Sequence, residues 1–342
     1  MGRRNIVVIG ASAGGMEALK HLVEDLPRDL DATLFVVWHM PADFTTTLPR
    51  LLTRAGPFPA EHPQDGQPIE PRRVYVAVPD HHLLLEHGRI RVTRGPRENR
   101  FRPAVDPLFR SAAYVYGSRV IGVVLTGALD DGTAGLWTIK LRGGTAIVQD
   151  PGEALHPSMP RNALENVEVD HVARLAGIAQ LIGKLTREEA PEAPELPMDE
   201  QRKTETEIRV AKEHGALSMD MLGKGELSPF TCPECHGVLT RLQEGRIFRY
   251  RCHTGHAFSA DALLASLGEQ AESRLWDAVR ALDETVMLLD HMGRHLEEAG
   301  QPEAAKPYFE NAREAEARGD AMRQAAQGQE PVSKERLRAK LG

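Results

Sequence analysis

Five short runs in the first half of the chain are apolar at almost every position: Ile6-Val7-Val8-Ile9, Thr33-Leu34-Phe35-Val36-Val37, Val74-Tyr75-Val76-Ala77-Val78, Val120-Ile121-Gly122-Val123-Val124-Leu125 and Thr145-Ala146-Ile147-Val148. A half-exposed strand alternates apolar and polar side chains, so unbroken runs imply strands covered on both faces, as in a parallel sheet. Between several of them lie stretches with helical spacing, such as Met16 to Leu26 and Phe109 to Tyr116. Strand and helix in alternation predict an α/β fold with a doubly wound, mostly parallel sheet. His87-Gly88, between Leu83-Leu84-Leu85 and Ile90-Arg91-Val92, reads as a hairpin turn, so the sheet is expected to carry an antiparallel edge.

The texture changes after Arg187, where Glu188-Glu189-Ala190-Pro191-Glu192-Ala193-Pro194-Glu195 opens an acidic, proline-bearing stretch. A chain of 342 residues exceeds one ordinary domain. The expected division is an α/β domain over 1–187, a polar linker over 188–228 and a cysteine-bearing module over 229–260. A helical hairpin follows over 261–328 and a tail over 329–342. The hairpin rests on the stripe Leu275, Val279, Leu282, Val286, Leu289 and on a second helix beginning after Gly300-Gln301-Pro302. A net charge of −7 provides no general field for nucleic acid or anionic membrane, and neither is expected as a partner. The apolar run near the N-terminus is too short for a signal peptide or a membrane span, which predicts a cytoplasmic protein.

Gly10-Ala11-Ser12-Ala13-Gly14 follows the first strand and precedes a helix, a G-x-S-x-G arrangement in which small neighbours permit a tight turn beneath a serine hydroxyl. The same strand, glycine turn and helix also open dinucleotide sites. Such a site wants glycine where Ser12 stands and an acidic residue after the second strand, where His39 stands instead. His39 ends the second strand, and Asp131 follows the strand that ends at Leu125, so all three side chains belong to one edge of a parallel sheet. They are the candidate nucleophile, base and orienting carboxylate, with the N–H of Ala13 as an oxyanion donor.

These residues fall within blocks that resemble the catalytic domain of the chemotaxis receptor methylesterases over roughly 4–185. The blocks are Ile9 to Gly15, His39-Met40-Pro41 leading to Phe44 and Leu48, Arg102 to Ala113, Leu125-Thr126-Gly127 with Asp131-Gly132, and Val148-Gln149-Asp150 through Met159-Pro160 to Ala163. The resemblance implies a serine hydrolase that removes methyl groups from glutamate γ-methyl esters of receptor proteins, and that also deamidates glutamine by the same tetrahedral route. The family's triad maps onto Ser12, His39 and Asp131, with no cofactor for catalysis and a methylated chemoreceptor or related signalling protein as substrate. After Thr-Gly the family carries methionine then glycine, where this chain has Ala128-Leu129. The best-known members begin with a receiver domain, whereas the block here starts at residue 4, so control by a phospho-receiver in cis is not expected. A non-catalytic regulator that uses the same fold to bind a partner is the alternative.

Cys232-Pro233-Glu234-Cys235 and Cys252-His253-Thr254-Gly255-His256 form two knuckles, the arrangement that gathers four ligands around a tetrahedral zinc ion. The expected ligands are Cys232, Cys235, Cys252 and His256, with His253 as the alternative fourth, in a structural zinc ribbon. Arg246, Arg249 and Arg251 lie between the knuckles and could face a partner. The whole C-terminal part is expected to recognise a protein, and its removal to leave ester hydrolysis intact.

Overall fold

The computed structural model describes residues 2–40, 47–212, 225–328 and 337. Pro41 and Phe44, residues 213–224 of the expected linker and nearly all of the expected tail lie outside the described residues.

The first half runs β1 (Ile6–Ala11), α1 (Gly15–Glu24), β2 (Thr33–Trp38), α2 (Leu48–Ala55), β3 (Ala60–Glu61), β4 (Val74–Val76), β5 (His82–Glu86), β6 (Arg89–Thr93), α3 (Val105–Tyr116), β7 (Val120–Val124), α4 (Thr133–Leu141), β8 (Thr145–Gln149), α5 (Ser158–Asn166), β9 (His171–Ala173) and α6 (Leu175–Leu185). Seven strands form one sheet in the order β3-β4-β2-β1-β7-β8-β9, and every pairing is parallel. All residues of β1, β7 and β8 are buried, which is why their sequences show no alternation. Successive side chains of β1 still serve opposite faces: Val7, Ile9 and Ala11 pack with α1 and α6, while Ile6 and Val8 pack with α3.

The hairpin at His87-Gly88 forms, but it is a two-stranded sheet of its own rather than an edge of the large one. Its apolar side chains Leu83, Leu85 and Ile90 join the core under α3, and the Leu85 N–H donates to Ser111 Oγ at 3.1 Å. Packing against a helix satisfies this hairpin, so both edges of the main sheet remain parallel. The order also places β1 between β2 and β7, so the chain leaves β1 in opposite directions and a crevice opens at the carboxyl ends of the strands.

Part of the stretch expected as linker is the helix α7 (Met198–Lys212). Ile208 and Ala211 pack with Leu84 and Tyr114, Thr93 Oγ1 donates to the Ala211 carbonyl at 2.8 Å, and Lys212 pairs with Glu86 at 2.5 Å. The helix is polar overall, yet one side of it is core. Then come β10 (Glu226–Thr231), β11 (Val238–Glu244), β12 (Ile247–Cys252) and β13 (Ala257–Ser259), an antiparallel sheet in that order. Two long helices close the chain, α8 (Ala260–Glu298) and α9 (Pro302–Gln327).

The chain divides into two compact units, Met1–Leu263 and Leu264–Gly342, so the cysteine module belongs to the same unit as the parallel sheet. In the second unit Val279 is buried, Leu275, Leu282, Val286 and Leu289 are half-buried, and Arg323 of α9 bonds Asp283 of α8 at 2.9 Å. Among the described residues, no helix is long and apolar enough to cross a membrane.

Candidate active site

Ser12 sits one residue beyond β1, in a turn closed by a hydrogen bond from the Gly15 N–H to the Ser12 carbonyl at 2.8 Å. The Trp38 indole N–H donates to the same carbonyl at 2.9 Å, and the Ser12 N–H donates to the Thr126 carbonyl at 3.0 Å. Glycine is demanded on both sides. Gly14 caps α1 with a φ of 73°, and a Cβ on Gly127 would stand 2.0 Å from Met159 Sδ and 2.8 Å from Ser12 Cβ. The Ala13 N–H, at the entrance of α1, has no hydrogen-bond partner among the described residues. A donor there meets any anion that forms on the open side of Ser12.

His39 follows β2 directly and is buried. Its Nδ1 lies 3.1 Å from Ser12 Oγ, and its Nε2 lies 2.7 Å from Asp131 Oδ2. A carboxylate only accepts, so the Nε2 proton points at Asp131 and Nδ1 is left as acceptor for the serine hydroxyl. Phe101 stacks on the imidazole with centroids 3.9 Å apart and planes at 9°.

Asp131 is 1% exposed and satisfied on both oxygens. Besides His39, Oδ2 accepts the Val105 N–H at 2.6 Å, while Oδ1 accepts Asn99 Nδ2 at 2.9 Å, the Gly132 N–H at 3.0 Å and the Asp106 N–H at 3.3 Å. Val105 and Asp106 open α3, so this carboxylate lies at a helix N-terminus. Burial works to raise its pKa, but the bond and charge of His39, then the Val105 N–H and the Asn99 amide, outweigh it and hold the carboxyl below its ordinary value. Asp106, its neighbour, goes the other way. Burial, and then the charge of Asp131, push its carboxyl well above the ordinary range.

The structure therefore brings the three residues singled out from sequence within hydrogen-bonding distance in one chain of contacts. Asn99, Phe101 and Asp106 were not singled out. Phe101 and Asn99 come from a loop without strand or helix periodicity, and Asp106 falls inside a recognisable block that by itself does not indicate a role. Ser12 and His39 line a cleft of about 630 Å³ together with the apolar Met16, Trp38 and Met40 and with Arg97 and Arg102, which pair with Glu234 at 3.5 Å and Asp80 at 2.7 Å.

In the cysteine module, donor atoms of Cys232, Cys235, Cys252 and His256 all lie within 4.8 Å of one another. Cys235 Sγ is 3.6 Å from Cys252 Sγ, and His256 Nδ1 is 3.6 Å from Cys252 Sγ and 3.7 Å from Cys232 Sγ. A tetrahedral ion bound at ~2.3 Å to sulfur separates its ligands by ~3.8 Å, so the donor set and its spacing fit a zinc-sized cation. His253 is outside the cluster, its ring lying against Gly237, where a Cβ would be 2.3 Å from Cε1. The shared hydrogen bond between Cys232 and Cys252 pushes the Cys252 thiol down and the Cys232 thiol up. A cation among these sulfurs would relieve that competition by taking the place of the protons.

Arg249 and Arg251 do not face outward. Each is 1% exposed, on the same face of β12 as Ile247, while Phe248 before them is exposed and Tyr250 between them half-buried. They meet Glu98 at 2.7 and 2.9 Å and Glu207 at 2.7 and 2.5 Å; Arg110 of α3 completes the cluster.

A family model described as CheB methylesterase matches residues 7–182. A protein-glutamate methylesterase/protein-glutamine glutaminase of Anaeromyxobacter dehalogenans is 39% identical over 185 residues, 54% of each chain. A Leptospira interrogans protein whose name carries the same two activities is 39% identical over 180 residues, 52% of this chain and 93% of that one. The crystal structure of the Thermotoga maritima CheB methylesterase catalytic domain matches with a TM-score of 0.51 and 34% identity, covering 54% of this chain and 99% of that one.

Proposed function

The chain belongs to the CheB methylesterase family, a family of carboxylic ester hydrolases, and on that premise we propose that it hydrolyses glutamate γ-methyl esters on a receptor protein, with Ser12, His39 and Asp131 as triad. The observation that carries this reading is the unbroken chain of contacts from Ser12 Oγ through the two nitrogens of His39 to Asp131 Oδ2.

The chemistry follows from those contacts. His39 Nδ1 takes the hydroxyl proton as Ser12 Oγ attacks the ester carbonyl, and the Ala13 N–H donates to the oxyanion that forms. The imidazolium, steadied by Asp131, returns its proton to the departing methoxide, so methanol leaves and a glutamyl-serine ester remains. Water, deprotonated at the same Nδ1, attacks that ester and releases the glutamate carboxylate and the free serine. An amide nitrogen can leave by the same path, which extends the proposal to glutamine deamidation, the second activity in the relatives' names. The apolar side chains of Met16, Trp38 and Met40 in the cleft lining suit the methylene stem of the substrate.

Zinc is the ion that the Cys₃His set of the ribbon would take, and its chemistry there is to hold two knuckles together. A cytoplasmic setting keeps such thiols reduced and available. Recognition of a protein partner is assigned to the second unit, whose Trp276, Met287, Leu288 and Met292 are exposed on α8.

The test is methanol release from a glutamyl-methylated receptor fragment. Wild type should turn over, and Ser12→Ala and His39→Gln should each reduce kcat by at least ~10³-fold. No turnover on any glutamyl methyl ester by folded wild type refutes the proposal and favours the non-catalytic regulator.

A further inference from the structure

We infer that Asn99 is a positioning residue for the triad and that the cysteine ribbon is its seat; this rests on the hydrolase reading above. Asn99 is 2% exposed and uses its whole amide. Its Oδ1 accepts the Ser259 N–H of β13 at 2.8 Å, which fixes which end of the amide faces the triad. Nδ2 then donates one proton to Asp131 Oδ1 and the other to Asp106 Oδ2, both at 2.9 Å. The two carboxyl groups and the Ser259 N–H select the same orientation, since a turned amide would present oxygen to a carboxylate and its NH2 to an N–H donor.

The backbone of the same loop is tied to the same strand. Asn99 and Arg100 have φ of 49° and 78°, a left-handed pair that side chains other than glycine resist. The pair is held from both sides. Glu98 and Phe101 exchange N–H···O bonds of 3.2 and 2.9 Å, the Asn99 N–H donates to the Ala257 carbonyl at 2.8 Å, and the Ala257 N–H donates to the Arg97 carbonyl at 3.1 Å. Phe101, at the end of this turn, is the ring stacked on His39. Ser259 Oγ also donates to Asp130, the residue before the triad carboxylate, at 2.6 Å.

Two supports therefore run from one short strand to the two partners of Ser12: Asn99 to Asp131, and Phe101 to His39. That strand begins immediately after His256, and the Cys252 N–H donates to the His256 carbonyl at 3.0 Å. Whatever fixes the Cys₃His cluster fixes the start of β13, and through it the geometry of proton transfer. The ribbon is on this account part of the machinery rather than an appendage beside it.

The experiment uses the full chain as wild type, Asn99→Ala and Asn99→Asp, the last keeping the acceptor for Ser259 while removing both donated protons. Each is measured with zinc bound and after stripping with a chelator. Readouts are kcat and KM on a glutamyl methyl ester, the rate of Ser12 labelling by a fluorophosphonate, and the low-field proton resonance of His39 Nε2–H. Loss of alignment at this range costs up to about 100-fold in rate. Both variants should lose about that factor in kcat with KM within about threefold, and the low-field resonance should shift or vanish. Stripping should slow wild type in the same way, raise hydrogen exchange at the amides of 97–101, and add little to either variant. Should a variant fail to fold, stripped wild type decides alone. Wild type that is labelled and keeps its kcat and low-field resonance when stripped, or variants labelled as fast as wild type, overturns the inference while leaving the hydrolase reading standing. Folded wild type that neither turns over nor takes up the probe overturns both.

Discussion

At the scale of single residues, the site is set by backbone conformation as much as by side-chain chemistry. Leu129 adopts a φ of 61° between Gly127 and the triad carboxylate, at the position where the resembling family carries glycine. A branched residue there costs roughly 1–2 kcal/mol, of which glycine would return part through its own freedom when unfolded. Leu129→Gly should therefore raise the unfolding free energy by about 0.5–1 kcal/mol, measured by chemical denaturation, whereas Leu129→Ala should not. Equal behaviour of the two variants would mean that the left-handed turn carries no strain. The same residue scale explains what sequence reading found and what it did not. Ser12 and His39 stand directly after buried strands and Asp131 in the loop between β7 and α4, so unbroken apolar runs announce the edge they share. Asn99 stands in a turn with no period, and its importance comes from Ser259, 160 positions away.

At the scale of elements, apolar patterning is informative where both faces of a strand meet apolar neighbours and misleading where they do not. β12 reverses the ordinary rule, with Phe248 outside and Arg249 and Arg251 inside, because α7, α3 and the loop at Glu98 supply carboxylates and a third guanidinium to meet them. The polar composition of α7 reads as linker for the same reason: Glu207 is a buried partner and not a solvated face. Burial would raise the pKa of Glu207, but Arg251, Arg249 and Arg110 overcome it and bring it from 4.5 down to about 2. Glu98 is held well below its ordinary value by the same three arginines. Because these folded values lie below the unfolded ones, the stabilisation is complete above pH 4.5 and is lost as the pH falls toward about 2. Thermal unfolding should show the melting temperature dropping across that window. Glu207→Gln, which leaves guanidinium charge uncompensated, should be less stable at neutral pH by about 3–5 kcal/mol and should show a shallower acid limb. An unchanged acid limb in that variant would remove Glu207 as its source.

At the scale of the whole molecule, the composition shift at Arg187 is visible in the sequence but does not coincide with the boundary between compact units, which falls after Leu263. Composition reports what a segment exposes on average; a compact unit depends on where its few buried groups find partners. Arg249 and Arg251 find theirs at Glu98, and β13 bonds the loop that carries Asn99, so residues on either side of the polar stretch complete each other. Two truncations separate these boundaries. A chain ending at residue 263 keeps the ion cluster, the ribbon and Asn99 with its seat, and its kcat on a small glutamyl ester should stay within about threefold of the full chain. A chain ending at residue 189 keeps the entire family match at 7–182 and the whole triad, yet leaves Glu98 without Arg249 and Arg251 of the ribbon, Arg110 without Glu207 of α7, and Asn99 without Ser259. Stranding charges of this kind costs about 3–5 kcal/mol, so the shorter chain should melt earlier and lose at least tenfold in kcat even where it remains folded. Equal activity of the two truncations would show that the parallel sheet orders its own triad and that the polar stretch after Arg187 is the functional boundary after all.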